Sequence, residues 1–81
     1  MSFHPDTLPA APLPHLTPNS TARITAIAAE GDDAVRLKAL GMCVGRQVQL
    51  IQSGDPLIVR VLGARVGLSA RLAAVVYTEA P

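Results

Sequence analysis

The sequence predicts a small, mainly β-sheet domain with one or two short helices, and three observations carry this prediction. Short segments that alternate apolar and polar residues follow one another closely from about residue 16 onward, as in a small antiparallel barrel. Glycines lie between these segments, where turns are needed. The chain has 81 residues, of which 49 % are apolar, so it can form one hydrophobic core and is too apolar for a disordered chain.

Proline sets the N-terminal part of the chain apart from the rest. The first 18 residues hold five of the seven prolines. Proline donates no backbone hydrogen bond and disfavours helix in the residue before it. We therefore predict a flexible, proline-rich arm over residues 1–15 and the barrel domain over residues 16–81.

The first regular elements are predicted to be a strand and a short helix. Residues 21–28 have the composition of a strand. A glycine and two aspartates then interrupt the pattern. Because aspartate is a good helix cap, we predict that Asp33 caps a helix over residues 34–40.

The predicted helix carries two leucines three residues apart. Leu37 and Leu40 lie on one helix face, which makes both of them candidate core residues. Gly41 follows the second leucine, where a helix end commonly needs a left-handed residue. Residues 46–52 alternate apolar and polar positions and are predicted to form the next strand.

A β-hairpin is predicted over residues 57–68. The Gly63-Ala64 pair suits a two-residue type II′ turn, which prefers glycine at its first central position. This turn would pair Leu62 with Arg65, Val61 with Val66, and Val59 with Leu68. One face of the hairpin would then be apolar, and the other would carry Arg60, Leu62, Arg65 and Gly67.

The chain ends in a helical turn and a final strand. Ser69 can cap one turn that runs through Ala73, and residues 75–78 have the composition of a strand. The predicted order is therefore strand, helix, three strands, helical turn and strand. Five short strands with a helical turn before the last one are the plan of an SH3-like five-stranded barrel.

Several function classes are disfavoured by composition. Seven basic residues oppose six acidic ones, which is a weak charge balance for a nucleic-acid binder. The segment Gly63–Gly67 lacks the lysine and hydroxyl residue of a phosphate-binding loop. No Ser-His-acid set or carboxylate dyad falls on predicted rigid elements. We therefore expect neither nucleic-acid binding nor enzymatic activity.

The expected location is the cytoplasm. The longest apolar run, Leu72–Tyr77, is far shorter than the roughly 20 residues of a membrane span. The first six residues have neither the basic nor the apolar region of a signal peptide. Cys43 is the only cysteine, so it cannot form an internal disulfide, and this fits a reducing compartment. We expect no direct insertion into a membrane.

Two blocks of the sequence resemble the FeoA family. The family motif Arg-Leu-x-x-Leu-Gly-(Leu/Met)-x-Pro-Gly is matched in register by Arg36, Leu37, Leu40, Gly41, Met42 and Gly45. The signature Gly-Asp-Pro-(Leu/Ile) is matched by Gly54, Asp55, Pro56 and Leu57. Val44 stands in place of the usual proline, and Ser69 stands where arginine is often found.

The resemblance implies a small cytosolic accessory protein of bacterial ferrous iron uptake. Its partner would be FeoB, the membrane Fe(II) transporter that carries a G-protein-like domain. The resemblance also implies kinship with the SH3-like domains that end some iron-dependent repressors. That kinship does not transfer the repressor's function, because fold alone does not give function.

The sequence offers three candidate partner-binding features, each with a structural alternative. The Gly54-Asp55-Pro56 loop is either a tight turn or part of a partner surface. Arg60 and Arg65 either form a solvated outer face or meet an acidic patch on a partner. The flexible Met42 side chain either fills the core or adapts to a partner.

The candidate metal ligands are the two histidines, His4 and His15. Imidazole binds zinc and iron well, and Asp6 lies two residues from His4. Two histidines fall short of a full coordination set, so we expect no required cofactor. The alternative function is a metal-responsive module in which bound Fe(II) or Zn(II) changes a homo-oligomeric state, with Cys43 as a further potential ligand.

Overall fold

The protein, seen in a computed structural model, is described over residues 11–79. Within this range the chain forms six strands, two α-helices and one 3₁₀ turn. In chain order these are β1 (Ala11–Pro12), the 3₁₀ turn (Leu13–His15), β2 (Thr21–Ile27), α1 (Gly31–Ala39), β3 (Gln47–Gln52), β4 (Leu57–Val61), β5 (Ala64–Leu68), α2 (Ala70–Ala73) and β6 (Val76–Glu79).

All six strands belong to one antiparallel sheet in the order β1-β6-β2-β3-β4-β5. The predicted mainly β, SH3-like fold is confirmed. The sheet differs from the prediction in two respects. It contains β1 as a sixth strand, and within the described residues it is not closed into a barrel, because β1 and β5 lie at its two ends.

The hydrophobic core lies on one face of this sheet, and Leu37 of α1 and Leu72 and Ala73 of α2 belong to it. The strand residues of the core come from alternate positions, as expected for a half-buried sheet. They include Ile24, Val48, Leu50, Leu57, Val59, Val61, Leu68 and Val76. Of the two predicted helix leucines, Leu37 is fully buried and Leu40 is partly buried against this cluster. No helix in the described part of the chain is long and apolar enough to cross a membrane.

The folded domain begins before the predicted boundary at residue 16. Ala11 pairs with Thr78 and Pro12 with Tyr77. The buried Thr78 hydroxyl donates a hydrogen bond to the Ala11 carbonyl, over 3.2 Å. Leu13 is 0 % exposed. The last five residues of the predicted arm therefore belong to the domain, and residues 1–10 lie outside the described residues.

The first helix also begins earlier than predicted. It starts at Gly31, and Asp33 is its third residue, with no side-chain capping bond at the helix start. The Asp33 carboxylate instead accepts hydrogen bonds from the Arg71 guanidinium. At the other end the prediction is confirmed, because Gly41 has a φ of 88° and supplies the left-handed residue after the helix.

The predicted hairpin register is wrong, because the turn lies one residue earlier in the chain than predicted. The turn lies at Leu62-Gly63, and the two residues have φ values of 53° and 78°, as in a type I′ turn. Val61 pairs with Ala64, and Val59 pairs with Val66. Because each partner moves by two residues, every side chain keeps its predicted face.

The buried position of Leu13 can be tested by substitution. We expect Leu13→Ala to lower the free energy of unfolding by about 2–5 kcal/mol, because it leaves a cavity in the core. His15→Ala, at an exposed position two residues later, should change it by less than about 0.5 kcal/mol. Urea unfolding of both variants measures the difference, and equal stabilities would remove Leu13 from the core.

Candidate protein-binding surface

The β4–β5 hairpin brings the two predicted surface arginines together. Arg60 and Arg65 are directly opposite each other in the antiparallel pair. Val59 and Val61 on either side of Arg60 face the core, so alternation turns Arg60, and with it the opposite residue Arg65, to the outer face. Both are exposed. The row continues across β4 to Gln49 on β3, which is opposite Arg60.

The charges on this outer face are not neutralised by the domain itself. Within residues 11–79 the ion pairs are Arg23–Glu79 and Arg71–Asp33, and neither involves Arg60 or Arg65. Like charges directly opposite each other on a sheet are destabilising. The hairpin therefore presents two adjacent positive charges that an acidic partner could neutralise.

The tip of the hairpin exposes a large apolar side chain. Leu62 is 72 % exposed and has a left-handed backbone, a conformation that costs a residue with a Cβ roughly 1–2 kcal/mol. Its Cδ1 atom lies 3.2 Å from the position that a Cβ on Gly41 would occupy. Gly41 thus serves both the helix end and the close approach of Leu62.

In the segment that follows Gly41, some side chains are buried in the core and others are exposed. Met42 is 1 % exposed, so it fills the core and its side chain is not part of the exposed surface. Val44, two residues later, is 63 % exposed. A shallow cavity of about 310 Å³ opens here, lined by Ile27, Ala29, Ala34, Lys38, Met42, Cys43 and Val44.

The Gly54-Asp55-Pro56 loop is exposed and has a clear structural task. The Asp55 carboxylate accepts a hydrogen bond from the Ala70 backbone N–H over 3.0 Å. Ser69 confirms its predicted capping role by accepting from the Leu72 N–H over 3.2 Å. The loop lies at the opposite end of β4 from Leu62, and Leu62 comes six residues after Pro56, or roughly 20 Å of extended chain, so the loop is separate from the hairpin tip.

The predicted metal ligands are not brought together in the described part of the chain. His15 is exposed, and His4 lies outside the described residues. Cys43 is half-buried. Residues 11–79 contain no group of three or more histidine, cysteine, aspartate or glutamate side chains that could hold a metal ion. A site that uses His4 stays a prediction.

The sequence predicts Leu62 on the outer face of the hairpin, as a strand residue paired with Arg65, and misses its place at the tip of the turn. The signal for the observed turn is the Leu62-Gly63 pair. Glycine is favoured at the second central position of a type I′ turn as well as at the first central position of a type II′ turn, so Gly63 fits both turns. The usual type I′ residue before glycine is asparagine or aspartate. An exposed leucine at this place is therefore a departure from ordinary turn chemistry.

One ion pair connects the two helices. The Arg71 Nη1 and Nη2 atoms lie 2.7 and 3.2 Å from the Asp33 carboxylate oxygens. The hydrogen bond from Arg71 lowers the pKa of Asp33, and the nearby charges of Arg71 and Arg36 add to the effect. The Asp33 carboxylate in turn raises the pKa of Arg71.

The lowered pKa of Asp33 predicts a pH dependence of stability. A carboxyl group whose folded pKa is depressed contributes stability above its unfolded pKa and loses it as the pH falls through the folded pKa. We expect Asp33→Asn to destabilise the domain at pH 7, and the difference from the wild type to shrink below about pH 4. Asp32→Asn, one residue away and without an ion pair in residues 11–79, is the control. A pH-independent difference in urea unfolding would contradict the ion pair.

Comparison with known proteins gives one family and several solved structures. The FeoA domain model matches residues 11–80. A crystal structure of an iron uptake regulatory protein (FeoA) is 25 % identical, with a TM-score of 0.81, and the match covers 89 % of this chain and 97 % of that one. The FeoA protein of Chlorobium tepidum is 25 % identical over 84 % of this chain and 68 % of its own, with a TM-score of 0.77.

The fold also occurs as part of a longer protein. The T. acidophilum IdeR structure is 24 % identical over 96 % of this chain, with a TM-score of 0.84. The match covers 37 % of that protein, so it shows a shared fold. Comparison with curated protein sequences gives no match.

Proposed function

Because this chain belongs to the FeoA family, we propose that it acts in ferrous iron transport as a cytoplasmic accessory protein that binds the transporter FeoB. The match of the family model to residues 11–80 supports the role in iron transport. Binding to the transporter would use protein–protein contacts, and the chain itself would catalyse no reaction.

The observation that carries this proposal is the exposed Leu62 at the hairpin tip. A large apolar side chain in a left-handed conformation lowers the stability of the isolated domain through both exposure and backbone strain. Burial against a partner would recover part of this free energy, at about 2 kcal/mol for a leucine side chain. The exposed Val44 comes three residues after Gly41, the glycine that Leu62 approaches.

The charges near Leu62 favour an acidic partner surface. Arg60 and Arg65 lie on the same hairpin as Leu62 and have no ionic partner within residues 11–79. An apolar anchor with cations beside it is the usual composition of a protein-binding site, with a buried centre and a polar rim. The hairpin would therefore contact FeoB with its tip and its outer face.

The anchor role of Leu62 can be separated from its structural role. We expect Leu62→Asn to leave the domain as stable as the wild type or more stable, because asparagine tolerates a left-handed backbone. Its affinity for the purified cytoplasmic domain of FeoB should fall by at least about tenfold, since the buried leucine is lost. Calorimetric titration compares the wild type, Leu62→Asn and the control Val35→Asn, which removes an apolar side chain of similar exposure from α1. Equal affinities for Leu62→Asn and the wild type would contradict the proposal.

The arginine pair should act mainly on the rate of association. We expect the double variant Arg60→Glu, Arg65→Glu to fold normally and to bind the cytoplasmic domain of FeoB more slowly, since peripheral charges steer the encounter. The effect should shrink near 1 M salt, where the screening length is about 3 Å. The control is Arg36→Glu, Lys38→Glu, which changes the net charge equally on exposed positions of α1. Similar slowing by both double variants would show a general charge effect and would exclude a specific role of the hairpin.

A further inference from the structure

The sheet ends at β5 with an exposed edge. Within the described residues β5 pairs on one side with β4 and has no strand on its other side. Three of its five residues, Ala64, Arg65 and Gly67, are exposed. This strand contains no proline and no lysine, which are common means of blocking an edge. Neither of these blocking residues therefore protects this edge.

The hairpin geometry identifies which backbone groups point away from β4. A β-turn is commonly closed by a hydrogen bond between its first and fourth residues, here Val61 and Ala64. Hydrogen-bonded and non-hydrogen-bonded pairs alternate along an antiparallel ladder. The pairs Arg60–Arg65 and Ile58–Gly67 are therefore not hydrogen-bonded. The N–H and C=O groups of Arg65 and Gly67 consequently point away from β4. Neither residue makes a backbone bond outside the ladder within residues 11–79.

The positive charges of Arg65 and Arg60 beside this edge favour an acidic strand as the binding partner. A strand added next to β5 would place one side chain directly opposite Arg65, about 5 Å away on the same outer face. A carboxylate there would meet Arg65 and would lie within reach of the long Arg60 side chain on the next strand. A second copy of this chain would instead bring further arginines to the same face, and like charges across a pair are destabilising.

We propose that the edge of β5 binds an extended acidic segment of a partner protein by strand addition. Backbone bonds to Arg65 and Gly67 would hold the segment, and the Arg60–Arg65 pair would select for a carboxylate at alternate positions. This inference rests on the proposed protein-binding function and specifies the chemistry of the partner segment. Leu62 at the end of the hairpin would contact a separate apolar part of the same partner.

A matched pair of variants at Gly67 isolates the backbone contribution. Gly67→Pro removes one outward N–H, and proline is tolerated on edge strands where its nitrogen faces solvent. Gly67→Ala retains the N–H, and its added Cβ would lie 3.7 Å from the Ile58 Cδ1 atom, an ordinary contact. The probe is an end-capped heptapeptide, Thr-Glu-Val-Glu-Val-Glu-Thr, and its twin has glutamine in place of each glutamate.

We expect the glutamate peptide to bind the wild type and Gly67→Ala, and to bind Gly67→Pro at least about tenfold more weakly. The glutamine peptide should bind the wild type at least about tenfold more weakly, and this preference should disappear near 1 M salt. Bound glutamate peptide should slow amide hydrogen exchange at Arg65 and Gly67 in the wild type. The exchange measurement needs no variant, so it tests the edge even if Gly67→Pro does not fold.

Three results would overturn the inference. These are the absence of peptide binding, binding without slower exchange at the two edge amides, and sedimentation of the wild type as a dimer that Gly67→Pro makes monomeric. The last result would assign the edge to a second copy. Failure here is distinguishable from failure of the proposed function, because loss of FeoB binding in Leu62→Asn would persist if only the edge inference is wrong.

Discussion

The backbone of Leu62 and Gly63 adopts left-handed conformations, and this two-residue turn sets the register of the β4–β5 hairpin. The turn places Val59 opposite Val66 and Leu57 opposite Leu68. Val59, Leu57 and Leu68 belong to the hydrophobic core, and the partly buried Val66 packs against it. The same register places the two arginines opposite each other on the outer face. The cross-strand pairs on both faces therefore depend on one local conformation, whereas the division into an inner and an outer face follows from the alternation of strand side chains.

The other end of the sheet depends on the residues just before the first long strand. Ala11 and Pro12 pair with β6, and the Thr78 hydroxyl, which is buried, is satisfied by the Ala11 carbonyl. Leu13 then enters the core. A short edge strand with a proline is also a poor template for further pairing. The two edges of the sheet consequently differ, because β1 is short and contains proline, and β5 is longer and has outward backbone groups.

The charged side chains of this domain differ in whether they form contacts within the fold. Asp33 and Arg71 connect the helices, and Asp55 holds the start of α2, so these acids are occupied within the fold. Arg60 and Arg65 have no such task in residues 11–79. The chain belongs to the FeoA family, and its fold also occurs as part of the longer IdeR structure.

The sequence by itself determined the mainly β fold, the inward faces of the strands and the caps at Gly41 and Ser69, because alternation and capping are local properties that neighbouring residues specify. The family followed from spaced motifs. The tertiary structure decided the rest. Leu13 enters the core only because β6 offers a pairing partner more than 60 residues away in sequence, and Asp33 binds Arg71 across two helices. Leu62 lies in the turn, and Arg60 is opposite Arg65, because the hairpin turns at Leu62-Gly63. Glycine suits both this type I′ turn and the predicted type II′ turn, so the local sequence did not distinguish the two registers.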